Sequence, residues 1–213
     1  DILSKYPQVV DISGHSHYPA NDPRSVWQGE FTAINDGGLA YYEFTVDGKN
    51  SQHPESSDNM AQMLLVEVDA ENRVKVRVCD LNAEAVTAEY MIDNVSDPVK
   101  TKYAPKTRKE AAQAPYFEGE PSVSFADGKV TVSSKPAIPS VDDVVFIYRL
   151  EITDEQGNTV ASLKKLGDYY KNPKPADVSF SVSGLAAGSY TAKLVAEDAW
   201  GLVSAPVCAQ FTV

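Results

Sequence analysis

Most of the residues that carry chemistry are scarce in this chain. Of 213 residues only two are cysteine and three are histidine. Two thiols, Cys79 and Cys208, exclude a disulfide-dense scaffold and a cysteine-rich zinc cluster. Each lies in an apolar strand pattern, so two buried free thiols are expected; a bridge would have to join the two halves of the chain. No stretch reaches the eighteen or more apolar residues that a membrane-spanning helix needs. Positive charge is also short: 19 Lys and Arg stand against 30 Asp and Glu, a net charge of −11. Such a surface repels phosphate backbones, which excludes nucleic-acid binding through a broad basic face. A phosphate loop, a dinucleotide fingerprint and a nucleophile elbow are all missing. So is a signal peptide, yet the chain opens on Asp1 rather than methionine. A mature or truncated N-terminus of an exported protein (periplasmic, cell-surface or secreted) is the expectation.

What is present reads as β structure in two parts. An apolar run over 9–12 predicts a strand that stops at Gly14. Two prolines with Asn21-Asp22 make 18–25 a loop. A strand over 25–34, the turn Asn35-Asp36-Gly37-Gly38 and a return strand over 39–46, closed by Asp47-Gly48, predict a hairpin. Trp27, Tyr41, Tyr42 and Phe44 are its core and sheet-face aromatics. Polar 49–59 is loop, with His53 solvated. Strands over 62–68 and 73–81 form the clearest hairpin. There Val74, Val76 and Val78 alternate with Lys75, Arg77 and Cys79, so the charges mark a solvent side. A further strand is expected over 89–93. Residues 1–97 make the first domain. Residues 98–115, with three prolines and a run of lysine and arginine, read as a linker holding a short helix over 108–114. Residues 116–213 carry seven strand-like runs, at 122–126, 129–134, 144–153, 159–163, 178–182, 189–197 and 205–213. Short strands at this spacing predict an antiparallel sandwich. The fold class is therefore mainly β.

Two of the three histidines, His15 and His17, sit one residue apart just after the first strand. That spacing sets both rings on one side of an extended segment, and Gly14 lets the backbone turn sharply. Imidazole pairs ligate metals, and they also occur as solvated loop residues; spacing alone leaves both open. Ser13-Gly14-His15-Ser16-His17, after a hydrophobic strand and before Pro19, Asp22, Arg24-Ser25, Gln28 and Phe31-Thr32, resembles the closing G-H-x-H motif of the calcineurin-like metallophosphoesterases. The resemblance covers about residues 1–100, with specific motif content in 13–32. It implies a partial sheet of that family's sandwich and a site for two divalent metal ions (Mn, Fe or Zn). His15 would ligate the second metal and His17 the first, and Arg24 would hold phosphate oxygens. The family's earlier motifs, D-x-H, G-D and G-N-H-D/E, do not precede His15 here. The chain thus resembles the C-terminal piece of such an enzyme, expected to be inactive by itself and to bind no metal tightly.

A second resemblance lies near the end. Leu185 to Gly201, with Gly188 before Tyr190 and alternation after it, is similar to the late strands of a fibronectin type III domain. It implies that Tyr190 is buried with its hydroxyl on an upstream backbone group. Tyr148 and Leu150 would pack inside. The loop Gly167 to Pro173 carries Tyr169 and Tyr170, which either cover a core edge or offer an exposed aromatic surface. Asp142-Asp143 is an acidic loop pair whose carboxylates point apart in an extended chain, a weak metal site.

Two functions fit these features. One is the C-terminal portion of a metal-dependent phosphoesterase acting on phosphate mono- or diesters, with an appended sandwich. The other is a non-enzymatic extracellular sandwich module for binding or adhesion. A first domain lacking part of its sandwich would expose an apolar sheet face, which predicts a homo-oligomer through that face.

Overall fold

The computed structural model describes residues 2–46, 49–55, 57–93, 95 and 102–213. The expected Asp47-Gly48 turn and the first part of the predicted linker, 98–101, lie outside the described residues. The chain is mainly β and divides into two units. The first is Asp1–Ala111 with Tyr170–Pro173, and the second is Ala112–Tyr169 with Lys174–Val213.

In the first unit, β1 (Val10–Ser13), β2 (Val26–Gln28) and β3 (Thr32–Asn35) form one sheet in the order β1-β3-β2. β1 runs parallel to β3, and β2 runs antiparallel to it. The expected single strand over 25–34 is broken: Pro23–Ser25 is a 3-10 turn, and Gly29 N–H donates to Phe31 O at 3.0 Å to reverse the chain. The expected hairpin across Asn35–Gly38 does not form either. Both edges of β3 are already taken, so the chain beyond it has no open edge to return to. Instead β4 (Phe44–Val46) pairs with β5 (Lys49–Gln52).

The second sheet of this unit is antiparallel: β6 (Gln62–Val68), β7 (Val74–Asp80) and β8 (Ala85–Ile92). β8 begins four residues earlier than the 89–93 run predicts. The period-two pattern of β7 sends Val74, Val76 and Val78 into a core with Val26, Ile34, Tyr90 and Ile92. Each such burial contributes about 1.5–3 kcal/mol. Lys75 and Arg77 face out as expected, paired with Glu89 at 3.0 Å and Glu67 at 2.7 Å. Exposed pairs like these contribute at most about 1 kcal/mol.

Part of the predicted linker belongs to this unit, and Tyr103 enters its core. Tyr103 is buried, and its hydroxyl accepts from Met91 N–H at 2.8 Å. Its backbone exchanges hydrogen bonds with Gln28, N–H to Oε1 at 3.1 Å and O from N–H at 3.1 Å. The helix that follows, α1, spans Pro105–Ala111, a few residues earlier than expected. Arg108 donates to Pro23 O and stacks over the Tyr103 ring, so this arginine is held by its own unit.

The second unit is a seven-stranded antiparallel sandwich. β9 (Ser122–Ala126), β10 (Lys129–Ser134) and β13 (Val178–Ser183) make a sheet in the order β13-β10-β9. β11 (Val145–Asp154), β12 (Thr159–Leu166), β14 (Ser189–Asp198) and β15 (Val207–Thr212) make the other, ordered β12-β11-β14-β15. Val130, Val132, Tyr148, Leu150, Ile152 and Leu194 fill the space between them. Tyr190 is buried and donates its hydroxyl to Ala186 O at 2.9 Å, an upstream backbone carbonyl. Both loop tyrosines are buried, which removes the exposed aromatic surface. Tyr169 lies against Phe146, with ring centroids 6.5 Å apart. Tyr170 belongs to the first unit and packs on Tyr42 and Phe44 at 6.1 Å and 5.2 Å. The thiols differ from expectation: both are free, but Cys79 is half-buried and Cys208 exposed.

Candidate functional site

His15 and His17 follow the C-terminal end of β1. Both have left-handed backbones, φ 75° and 51°. This region is disfavoured for residues with a Cβ, by roughly 1–2 kcal/mol each. Two such residues flanking Ser16 make a tight, over-determined corner, the kind of strain that collects at functional sites. The corner is held from below. Ser16 Oγ donates to Asn35 Oδ1 at 3.1 Å, and Asp36 N–H donates to Ser13 O at 3.0 Å. Gly14 eases this closeness: a Cβ there would lie 3.1 Å from Asp36 Oδ1 and push the carboxylate back by a few tenths of an ångström.

His15 is exposed, whereas His17 is half-buried. The His17 ring stacks on Tyr41, with centroids 4.2 Å apart at 27°. Its Nδ1 lies 3.3 Å from Tyr41 O. A carbonyl only accepts, so this hydrogen bond places the proton on Nδ1 and leaves the Nε2 lone pair for a ligand. Orientation of an imidazole by a backbone carbonyl is a common support for a metal-binding nitrogen. His53 has a half-exposed side chain with Nε2 3.7 Å from Glu43 Oε1.

The loop after the histidines is locked in place. Asp22 is fully buried and accepts from Arg24 N–H and Nε–H, both at 2.8 Å, through one oxygen. Its other oxygen accepts from an Arg24 terminal nitrogen at 2.8 Å and from Tyr18 O–H at 3.2 Å. Arg24 also donates to the Tyr18 hydroxyl. The guanidinium expected to meet phosphate is therefore engaged with Asp22, and its job in this structure is to fix the loop. Gln62 adds to the lock, accepting from Ala20 N–H at 2.8 Å and donating to Asn21 Oδ1 at 3.0 Å. Asn35 Nδ2 donates to Tyr18 O at 2.7 Å.

Sequence reasoning missed two neighbours of the histidines. Asp36, read as a turn residue, brings its carboxylate against Gly14. Tyr41, read as a sheet aromatic, orients His17. Neither had a local signal, because each meets the pair across more than twenty residues or through a parallel strand pairing. Tyr42, next in the chain, is fully buried; burial first and the charge of Asp80 second push its ionisation far above the ordinary tyrosine value. Among the described residues no group of three or more His, Cys, Asp or Glu side chains comes together as a metal shell. His15 and His17 fit as two donors of a metal site, and two donors do not hold a binuclear centre.

No family model matches this sequence, and no curated protein matches it. Several solved structures show partial likeness. The twitchin kinase region from C. elegans aligns at 21% identity and a TM-score of 0.33, over 48% of this chain and 17% of that one. The sixth fibronectin type III domain of human fibronectin type III domain containing protein 3 aligns at 20% identity and 0.33, over 46% of this chain and 85% of that one. A β-glucuronidase from Ruminococcus gnavus in complex with D-glucuronic acid aligns at 8% identity and 0.30, over 46% of this chain and 16% of that one. This chain spans about a sixth of the twitchin and glucuronidase chains. At these scores none of the three bears on activity, and the sandwich rests on its own strand order and on the Tyr190 hydrogen bond.

Proposed function

We propose that the first unit is the closing segment of a metal-dependent phosphoesterase and that the second unit is an appended sandwich. In the intact enzyme two divalent metal ions would activate a hydroxide and hold the oxygens of a phosphate mono- or diester. His15 and His17 would each give one nitrogen, and Asp36 and Tyr41 would position them. The observation that carries this reading is the strained pair itself: two left-handed histidines at the end of β1, one with its Nδ1 proton on a carbonyl. The edge of β1 supports it. Parallel strands are ordinarily covered on both faces, yet the Ile12 side chain on β1 is 46% exposed, and β1 is the outermost strand of its sheet among the described residues. A preceding piece of sheet carrying the remaining donors would pair there.

The test is the coding sequence upstream of Asp1 and the activity of the chain it extends. D-x-H and G-N-H-D/E motifs are expected there. The extended chain should hydrolyse p-nitrophenyl phosphate or its bis ester with manganese, and His17→Ala should lower the rate at least about 100-fold. The 213 residues alone should do no better than buffer. A signal peptide directly upstream, or metal-dependent turnover by the 213 residues, would overturn the reading.

A further inference from the structure

Among the described residues, four buried side-chain atoms have no hydrogen-bond partner. Native proteins leave few such atoms, and each asks for an explanation. Three of the four belong to one corner of the second unit: Ser140 Oγ, Asp143 Oδ2 and Asp198 Oδ2.

The backbone explains how they meet. Asp143 N–H donates to Ser140 O at 3.2 Å and closes a four-residue turn, with Asp142 at φ 59°. β11 starts two residues later, and its Val145 pairs with Asp198 at the end of β14. The turn therefore sits beside Asp198, which is only 1% exposed. One Asp198 oxygen is committed, accepting from Trp200 N–H at 2.8 Å and Leu202 N–H at 2.7 Å. One Asp143 oxygen accepts from Val144 N–H at 2.7 Å. The two remaining oxygens have no donor, although the side chains come within hydrogen-bonding reach of each other. Burial, and after it the charge of Asp198, push the Asp143 carboxyl up to about 6. Two carboxyl groups turned toward each other in low-dielectric surroundings repel, and a cation between them would remove that cost.

We propose that Ser140, Asp143 and Asp198 form a calcium site at this end of the sandwich. The donors are all oxygen and two are anionic, which selects a hard cation over zinc or copper. Calcium takes six to eight oxygens in adaptable geometry, including carbonyls and water. A cavity of about 100 Å³, lined by Asp143, Val144, Tyr148 and Lys174 among others, reaches the corner at Asp143 and has room for water beside that carboxylate. Bound calcium would tie the 140–143 turn to the 198–202 turn. With two carboxylates the affinity falls in the weak range of extracellular modules, Kd about 10⁻⁴–10⁻³ M.

Trp200 reports on the site from beside it, since its backbone N–H donates to Asp198. Trp27→Phe in the full chain leaves it the single tryptophan. On calcium titration at pH 7.5, Trp200 fluorescence should change saturably. At 10 mM calcium the midpoint of thermal unfolding that it reports should rise by about 3–5 °C. Asp143→Asn should abolish both effects without lowering the calcium-free midpoint, because the amide removes the repulsion and can donate to Asp198. Ser140→Ala should weaken calcium binding severalfold with the charges intact. No response of the parent chain to calcium at pH 7.5 would overturn the site and leave a proton-sharing carboxyl pair. An undiminished response in Asp143→Asn would overturn it as well. None of these measurements involves His15 or His17, so the outcome is separate from that of the phosphoesterase reading.

Discussion

In the second unit, β11 and β14 bury Leu150, Ile152 and Leu194 to 1% exposure or less between two sheets. In the first unit, β6 carries Val66 and Val68 opposite the buried Val76 and Val74, on the inward side, yet leaves them 36% and 65% exposed. Both stretches place apolar residues at every second position along one face, Leu64, Val66 and Val68 on β6 and Tyr148, Leu150 and Ile152 on β11. The difference is what lies across from them. Period-two patterning decides that a strand forms and which face is apolar; a cover for that face must come from elsewhere in the chain or from a partner. The sandwich carries its own cover, and among the described residues the first unit leaves Val66 and Val68 on a prepared face partly in water.

The sharpest way to break this contrast is matched truncation. Leu150→Ala should destabilise the second unit by about 3 kcal/mol, since it leaves a cavity in a filled core. Val66→Ala should cost the first unit less than about 1 kcal/mol, because that side chain is already partly in water. Urea unfolding followed by Trp200 and by Trp27 in single-tryptophan backgrounds reads the two units separately; equal losses would mean that β6 is as well covered as β11. A smaller effect, about 1 kcal/mol after allowance for partial exposure, comes from Asp143. Its carboxyl ionises near 6 in the fold against 3.8 ordinarily. Between those values the native state keeps a proton that the unfolded chain releases. Stability of the second unit should therefore fall as pH rises from about 4 to 6 and then level off, in calcium-free buffer. Asp143→Asn should flatten that slope, and a flat profile in the parent chain would contradict the carboxyl pairing. The smallest change in stability, within about 0.5 kcal/mol, is expected for Val68→Glu. Its effect should be on self-association, with a lower sedimentation coefficient at high concentration than the parent chain if copies meet through this face. An unchanged coefficient would assign the uncovered face to something other than a second copy.

The strands were legible wherever local pattern suffices. Val74, Val76 and Val78 announced β7, and the seven runs after residue 116 match the seven strands to within a few residues. The hydroxyl of Tyr190 found its upstream carbonyl, because a turn and a strand start fix both partners within four residues. The stretch after Asn35 misled for the converse reason. Asn-Asp-Gly-Gly has hairpin chemistry, but β1 had already taken the edge of β3 that a returning strand would need. The linker was misjudged because its prolines and lysines conceal Tyr103, a single aromatic whose hydrogen bonds to Gln28 and Met91 pull the segment into the core.

Sequence alone determined the hairpin of β6 and β7, the seven strands of the sandwich and the candidate histidines, since each rests on residues a few positions apart. Tertiary structure decided what those pieces meet. It put Tyr41 on His17, Asp36 on Gly14, Arg24 on Asp22, and Asp143 against a carboxylate 55 residues further along the chain. Adjacent carboxylates that point apart in an extended strand made Asp142-Asp143 look inert; a turn and a pairing register gave one of them a partner. Such contacts arise from how strands are ordered in sheets, and no local periodicity encodes that order.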